Sequence, residues 1–194
     1  MLTLYSIALA RARRAGESSH SIYRMPQIRY DILNQPGPAW PRPLGGTAMF
    51  QSKWEFGLAA RDALALRRQV YVEELGMPEA QAFDRYDEIG AHVFVWDEQG
   101  PIAAGRIFPQ GTATGIGAIA VAQGRRGEPF GELVLRILLD KAQTLAGDPI
   151  LARLRPEEIP LYVPFGFVPV AGGAGGLYQA PRDGIRWHSA CQDG

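Results

Sequence analysis

The sequence predicts an α/β domain whose mixed sheet has an antiparallel front half and a β-helix-β unit behind it. Short apolar runs separated by hairpin signals fill the first half of the domain. The most regular amphipathic pattern in the chain, residues 131–145, stands between two strand-like runs. The length of 194 residues, with 46% hydrophobic and 21% charged residues, suits one domain with an extension and excludes disorder of the whole chain.

The front half is predicted as a strand, a helix and three further strands. Residues 50–56 are typical of a strand, and apolar positions recur at helical spacing over residues 58–75 until Gly76 ends the pattern. Two apolar runs, at residues 91–96 and 102–108, are joined by Asp-Glu-Gln-Gly, which indicates a hairpin. Residues 116–122 then form a short strand.

The rear half is predicted from the second helix onward. Its apolar residues over 131–145 lie on one helical face. Residues 150–154 form a buried strand, residues 156–165 a short helix, and residues 168–170 and 177–180 two late strands. The β-helix-β arrangement requires the strands on either side of residues 131–145 to be parallel.

The domain is predicted to span residues 48–194 and to follow a basic extension, residues 1–47. Residues 34–46 contain four Pro and three Gly, which cannot sustain a helix or an interior strand. Two interpretations of the extension stay open. It is a poorly packed leader, with Met25 or Met49 as the true start, or it is an arm that docks over the active site.

Composition excludes several classes of function. Lys+Arg and Asp+Glu are both 20, so the basic excess of a nucleic-acid-binding domain is absent. No apolar run reaches the roughly 20 residues of a membrane span. One cysteine, Cys191, and three scattered histidines, at 20, 92 and 188, offer no metal site. The apolar residues 1–9 precede arginines, which is the wrong order for a secretory signal, so we expect a cytoplasmic protein without membrane or nucleic-acid partners.

The most informative window runs from Ile119 through an Arg- and Gly-rich turn into the second helix. The first turn of a helix presents unpaired N–H groups and a partial positive charge, which bind phosphate. Gly127 and Gly131 allow a ligand to approach the backbone, and Arg125 and Arg126 add charge. An ordinary strand-to-helix turn is the alternative interpretation.

Three windows together resemble the GNAT superfamily of N-acyltransferases. Arg126-Gly-Glu-Pro-Phe-Gly131 is similar to its Arg-x-x-Gly-x-Gly coenzyme A pyrophosphate loop, except for Pro129 in place of the middle glycine. Residues 66–78 with 83–87 resemble the first helix and following loop of one GNAT subgroup, which reads Leu-Arg-x-x-Val-Phe-Val-x-Glu-x-Gly and then Phe-Asp-x-x-Asp. Residues 161–170 resemble the Phe-Tyr-x-x-x-Gly-Phe segment. The resemblance covers about residues 50–190 and implies the GNAT fold.

The resemblance also implies a role for each matching residue. The strand before the loop would bond pantetheine through backbone N–H groups, one of which polarises the thioester carbonyl. The loop and the start of the helix would hold the pyrophosphate. Tyr162 would protonate or hydrogen-bond the leaving coenzyme A thiolate, with a helix tyrosine that anchors the core as the alternative interpretation. The implied coenzyme A-binding residues are Ile119, Ala120, Val121, Arg125, Arg126, Gly127, Glu128, Phe130 and Gly131.

The sequence does not single out the base that deprotonates the attacking amine. Glu73 and Glu74, at the end of the first helix, are the candidates, with solvated helix positions or proton loss to water as alternatives. Asp84, Asp87 and Glu88 make the following loop acidic and would favour a cationic acceptor, with solvated surface charges as the alternative. His92 is expected to make local hydrogen bonds.

We therefore expect an N-acetyltransferase that moves an acetyl or short acyl group from coenzyme A to a primary amine of a small molecule or peptide, with acetyl-CoA as co-substrate and no metal. A homodimer is one open expectation for its assembly. Two alternatives remain. The front half also resembles acyl-homoserine lactone synthases, which use acyl carrier protein donors, and the domain could be a catalytically silent module that binds acyl-CoA.

Overall fold

The computed structural model describes residues 50–173 and 175–187, all within one unit of the chain. The predictions made for residues 1–47, including the choice between leader and docking arm, lie outside the described residues. So do those for His188 and Cys191. The structure below is that of the domain alone.

Seven strands form one sheet in the described part of the chain. Neighbouring strands pair antiparallel except β4 and β5, which are parallel. The strands, in the spatial order β1-β2-β3-β4-β5-β7-β6, are β1 (Gln51–Phe56), β2 (Ala91–Asp97), β3 (Gly100–Gln110), β4 (Ala113–Val121), β5 (Ile150–Arg153), β6 (Val168–Pro169) and β7 (Leu177–Ala180). The predicted fold class, antiparallel in front with a β-helix-β unit behind, is confirmed.

Helices cover both faces of this sheet. Strand residues alternate between the faces, so on β3 Ala103 contacts the core beneath the long helix α4 whereas Ala104 contacts the core beneath α1. The helices are α1 (Arg61–Arg67), α2 (Glu79–Ala82), α3 (Tyr86–Ile89), α4 (Phe130–Gln143) and α5 (Ile159–Tyr162), with a π-helical continuation of α1 over Arg68–Glu74.

The observed helices differ from the predicted ones in three places. The single helix predicted over residues 58–75 changes to π-helical geometry after Arg67, because the N–H of Leu75 donates to Val70 O, five residues back, at 3.1 Å. The short helices α2 and α3 were not predicted, since one helical turn is too short to show periodicity. The helix predicted over residues 156–165 is α5 followed by a 3₁₀ turn, Val163–Phe165.

A buried ion cluster joins α1, α3 and β3. The guanidinium of Arg67 bonds the Asp87 carboxylate, and Arg106 Nη1 lies 2.7 Å from the same Asp87 oxygen. Arg106 also binds Asp84 through two bonds of 2.8 and 3.0 Å. We call these four residues the Arg67–Asp87 cluster. Burial opposes ionisation of Asp87, but the bond from Arg67 and the charges of both arginines hold its pKa below its usual value.

His92 lies beneath this cluster and is fully buried. Its Nε2 is 3.2 Å from Asp87 O, and its Nδ1 has no partner among the described residues. Burial, helped by the charges of Arg67 and Arg106, lowers the pKa of His92 against the raising effect of Asp87. The local hydrogen bond expected from the sequence is therefore the one that the structure contains.

We predict that His92 makes the domain sensitive to mild acid. The unfolded chain takes up this proton near the ordinary histidine pKa of about 6.5, whereas the folded protein keeps the ring neutral to lower pH. Stability should therefore fall as the pH falls below about 6.5, by at most about 1.4 kcal/mol per pH unit for one proton. Urea unfolding at pH 7.5 and 5.5 measures this loss, which should be smaller in His92→Gln. An equal loss in both proteins would contradict the prediction.

Candidate active site

The strands β4 and β5 separate after three paired residues, which opens a gap in the sheet. Their parallel pairing covers only Thr114–Ile116. Beyond it β4 contains a bulge, because two of its residues oppose one on β3 between Ala104 and Arg106. Ala118 has a φ of 52° at this bulge, a conformation that is uncommon outside glycine. Beyond the bulge, no described strand pairs with this edge of β4.

The open edge of β4 carries the backbone groups of Ile119 and Val121. Ala122 N–H donates to Ile102 O on β3 at 2.9 Å, and successive residues of a strand alternate in direction. The N–H groups of Ile119 and Val121 therefore face away from β3, into the gap. Ala120 faces β3 instead, and its side chain is buried beneath α1. Of the three predicted strand residues, two present donors where pantetheine is expected.

The loop after β4 presents a set of free backbone donors at the start of α4. No described residue accepts a hydrogen bond from the N–H groups of Gly127, Glu128, Phe130, Gly131 and Glu132, and the first bond into the helix is Leu133 N–H to Pro129 O, at 2.9 Å. Pro129 is the N-cap residue and has no N–H, so this set of backbone donors lacks one at that single position. These donors and the helix dipole suit a pyrophosphate.

Two glycines keep the loop open. Gly127 has a φ of 91°, which favours glycine. A Cβ on Gly131 would lie 3.8 Å from both Val121 and Leu161 side chains and would occupy the space between β4 and α5. The residues present therefore fit the coenzyme A that the resemblance implies.

The two loop arginines have different partners. Arg125 is mostly buried and donates to Asp97, at 2.7 Å, and to Gln99, at 3.2 Å, on the β2–β3 turn. The bond from Arg125 lowers the pKa of Asp97 although burial opposes this. Arg126 instead bonds the Glu74 carboxylate and donates from Nε to Val121 O, at 3.2 Å. Arg125 therefore fixes the loop to the sheet, whereas Arg126 faces the gap.

Tyr162 lies at the end of α5 and is 2% exposed. Its ring meets Phe167 edge to face, with centroids 5.3 Å apart, and its hydroxyl makes no hydrogen bond with any described residue. Burial, followed by the charge of Glu158 and the nearby Tyr71, raises its pKa well above the ordinary value. The hydroxyl therefore stays protonated at neutral pH and is available to donate.

Glu73 and Glu74 are separated by the structure. Glu73 is exposed, and its charge acts on Arg68, at the outer side of the helix. Glu74 is 19% exposed and bonds Arg126 across the gap, with Gln69 Nε2 3.3 Å from its second oxygen. Only Glu74 is in contact with the predicted loop.

The carboxylates of Asp84 and Asp87 in the acidic loop pair with arginines, whereas Glu88 of the same loop is exposed. Both carboxylates are taken up by the Arg67–Asp87 cluster. The prediction of a cationic acceptor therefore receives no support from these two residues. Their role in the structure is to hold α3 against α1 and β3.

Tyr71 belongs to the site but was not predicted. Its hydroxyl donates to Ile119 O at 2.8 Å, and the Arg155 guanidinium lies 5.3 Å from its ring centroid. Burial raises its pKa. Tyr71 occupies the position where the subgroup pattern has Phe, and this added hydroxyl is the signal that could have identified it.

A cleft of about 570 Å³ lies elsewhere, between α1, α2 and α3. It is lined by apolar side chains such as Leu64 and Phe83 and by charged ones that include Asp84, Asp87 and Glu88 of the acidic loop. None of the residues predicted for catalysis or for coenzyme A binding lines it. Within the described ranges, no group of His, Cys, Asp and Glu side chains is arranged to hold a metal ion. No helix there has the length and hydropathy for crossing a membrane.

Comparisons with known proteins agree with the motifs. Residues 66–137 match the family model of the acetyltransferase (GNAT) domain. The uncharacterized N-acetyltransferase YjcF of Bacillus subtilis is 22% identical over 107 residues, which are 55% of this chain and 76% of YjcF. The resemblance to GNAT proteins is confirmed.

Solved structures share the fold. ElaA of Escherichia coli superposes with a TM-score of 0.56 at 24% identity, over 68% of this chain and 97% of ElaA. The GNAT family N-acetyltransferase YhbS of Escherichia coli, whose structure is a complex with CoA, gives a TM-score of 0.51 at 17% identity, over 72% of this chain and 85% of YhbS. At these identities the two structures show that the fold is shared, and the family match supports a GNAT-type N-acetyltransferase activity.

Proposed function

Starting from the GNAT acetyltransferase domain that residues 66–137 match, we propose that this protein transfers an acetyl or short acyl group from coenzyme A to a primary amine of a small molecule or peptide. The observation that carries the proposal is the gap between β4 and β5. Two unpaired N–H groups line it, free backbone donors lie at the start of α4, and a protonated tyrosine stands nearby.

The donor would bind along the open edge of β4. The N–H groups of Ile119 and Val121 would bond pantetheine, and one of them would polarise the thioester carbonyl toward attack. The pyrophosphate would lie against the N–H groups of Gly127, Glu128, Phe130 and Gly131, with charge from Arg126. Arg125 would contribute by holding the loop in place.

The transfer itself would be a direct attack within the ternary complex. The amine nitrogen forms a bond to the carbonyl carbon, and the bond from that carbon to sulfur breaks. The amine gives up its proton to a carboxylate such as Glu74 or to water, and the Tyr162 hydroxyl donates a proton to the departing thiolate. Holding amine and thioester in one gap supplies the proximity that the reaction needs.

Two measurements test the proposal. Calorimetric titration of the full chain should detect coenzyme A binding, and a thiol-release assay with acetyl-CoA over a panel of primary amines should detect turnover. Absence of both would overturn the proposal. Binding without turnover on any amine would instead favour the catalytically silent module.

The same assay separates the remaining alternative. An acyl carrier protein donor should not replace acyl-CoA, because the free N–H groups before α4 suit a pyrophosphate. Turnover with acyl carrier protein alone would favour the acyl-homoserine lactone synthase-like enzyme.

A further inference from the structure

A side chain from the end of the first helix and one from the loop after β4 already occupy the open edge of β4. The Tyr71 hydroxyl donates to Ile119 O at 2.8 Å, and Arg126 Nε donates to Val121 O at 3.2 Å. Glu74, three residues after Tyr71, holds the same Arg126 guanidinium through an ion pair. The carbonyls of the edge are therefore satisfied while its two N–H groups are free.

Arg126 is the loop arginine that can exchange partners most readily. Its side chain is 42% exposed, against 16% for Arg125, whose partner Asp97 is 11% exposed. Solvent can replace a lost contact of an exposed guanidinium, so its ion pair is worth little. A pyrophosphate at the free donors of the loop would offer Arg126 a stronger and bidentate partner.

The loss of Arg126 would leave Glu74 with little compensation. Its side chain is 19% exposed, and Gln69 Nε2, at 3.3 Å, is then its one hydrogen-bond partner among the described residues. A half-buried carboxylate without a cation is unfavourable. An acceptor amine enters the gap as an ammonium ion and could restore the missing charge.

We propose that Glu74 and the pyrophosphate of coenzyme A compete for Arg126, and that the released Glu74 binds the ammonium group of the acceptor. The inference rests on the proposed function and adds an order to it, because the acceptor site becomes complete only after the donor has bound. Glu74 is then the residue through which the two substrates are coupled.

Competition makes an unusual prediction for the Glu74→Gln variant. Loss of the carboxylate frees Arg126, so the Kd for coenzyme A should fall by about three- to five-fold relative to the unaltered protein. A residue with only a structural role would leave the Kd unchanged or raise it. In the thiol-release assay the same variant should show a higher KM for the amine.

The measurement is a calorimetric titration of coenzyme A into four proteins: the unaltered chain, Glu74→Gln, Arg126→Gln and the double variant. Arg126→Gln should weaken binding, and Glu74→Gln should have no further effect once Arg126 is absent, because competition requires both groups. Glu79→Gln is the matched control. It breaks an exposed ion pair with Arg68, on the outer side of the same helix, and should not change the Kd.

The outcomes separate this inference from the proposed function. If the unaltered protein binds coenzyme A but Glu74→Gln does not tighten binding, the inference is wrong and the proposed function stands. If Glu74→Gln tightens binding equally without Arg126, the competition is likewise overturned. If the unaltered protein does not bind coenzyme A, the proposed function fails and the inference fails with it.

Discussion

Replacing Asp87 by asparagine is expected to lower the free energy of unfolding by about 3–5 kcal/mol, which is the usual cost of removing one partner of a buried ion pair. The side chains of Arg67 and Asp87 are 1% and 3% exposed. Asparagine keeps the volume of the side chain and can still accept a hydrogen bond from the N–H of Asp84. The loss of stability therefore measures the effect of removing the charge. Arg106 retains Asp84, but Arg67 keeps only the Ala82 carbonyl, at 2.8 Å, and a long contact of 3.5 Å to the remaining oxygen of residue 87.

Urea unfolding of Asp87→Asn beside Asp84→Asn provides the measurement and its control. Asp84 shares Arg106 with Asp87, but its side chain is 48% exposed, so solvent should limit its loss to about 1 kcal/mol. The double variant Arg67→Met with Asp87→Asn should recover part of the stability, because the uncompensated guanidinium is then gone. Equal losses in Asp84→Asn and Asp87→Asn would show that burial does not govern this cluster.

The cluster also explains why the acidic loop gave a misleading indication of the acceptor. In the sequence, Asp84 and Asp87 lie within a few residues of the end of the first helix, which made them candidates to attract a cation. Asp87 pairs with Arg67, 20 residues away, and Asp84 pairs with Arg106, 22 residues away. No local pattern reveals pairs at such separations, and the carboxylates are neutralised in place.

Most of the fold was predictable because its signals are local. The antiparallel front half follows from apolar runs with turn signals, and the parallel pair β4–β5 follows from a single amphipathic helix between two strands. The π-helical segment Arg68–Glu74 was not predictable, because its apolar residues Val70 and Tyr71 also fit α-helical spacing. The bulge at Ala118 has no sequence signal either, since its positive φ falls on a residue that is not glycine.

The candidate site was likewise predictable only in part. Ile119, Val121 and Gly127 to Gly131 carry backbone chemistry, and their place on a strand, a loop and a helix start can be predicted from motif and order. The partners of the side chains cannot be predicted in this way. Arg125 and Arg126 are adjacent in sequence, yet Arg125 binds Asp97 and Arg126 binds Glu74. The contact of Tyr71 with Ile119 spans 48 residues and emerges only when α1 packs on β4.

Replacing Tyr162 by phenylalanine is expected to reduce kcat by about 10²–10⁴-fold under the proposed function, the range typical of a positioned general acid. The raised pKa of this hydroxyl, caused chiefly by its burial, keeps it protonated over the working range. Activity of the unaltered protein should therefore not decline below pH 10 through ionisation of Tyr162. The decline in kcat of the variant should be accompanied by an almost unchanged Kd for coenzyme A, because phenylalanine fills the same space.

Two further measurements, the stability of Tyr162→Phe and the activity of Tyr178→Phe, distinguish a proton donor from a residue that only supports the core. Since the Tyr162 hydroxyl has no hydrogen bond with any described residue, its removal should change the free energy of unfolding by less than about 1 kcal/mol. Tyr178→Phe, on β7 and half-buried against the same core, is the control and should retain full activity. If Tyr162→Phe turns over as fast as Tyr178→Phe, the thiolate is protonated by another group. If it loses activity and stability together, Tyr162 supports the core instead. Only loss of kcat with the fold and coenzyme A binding intact identifies its hydroxyl as the proton donor.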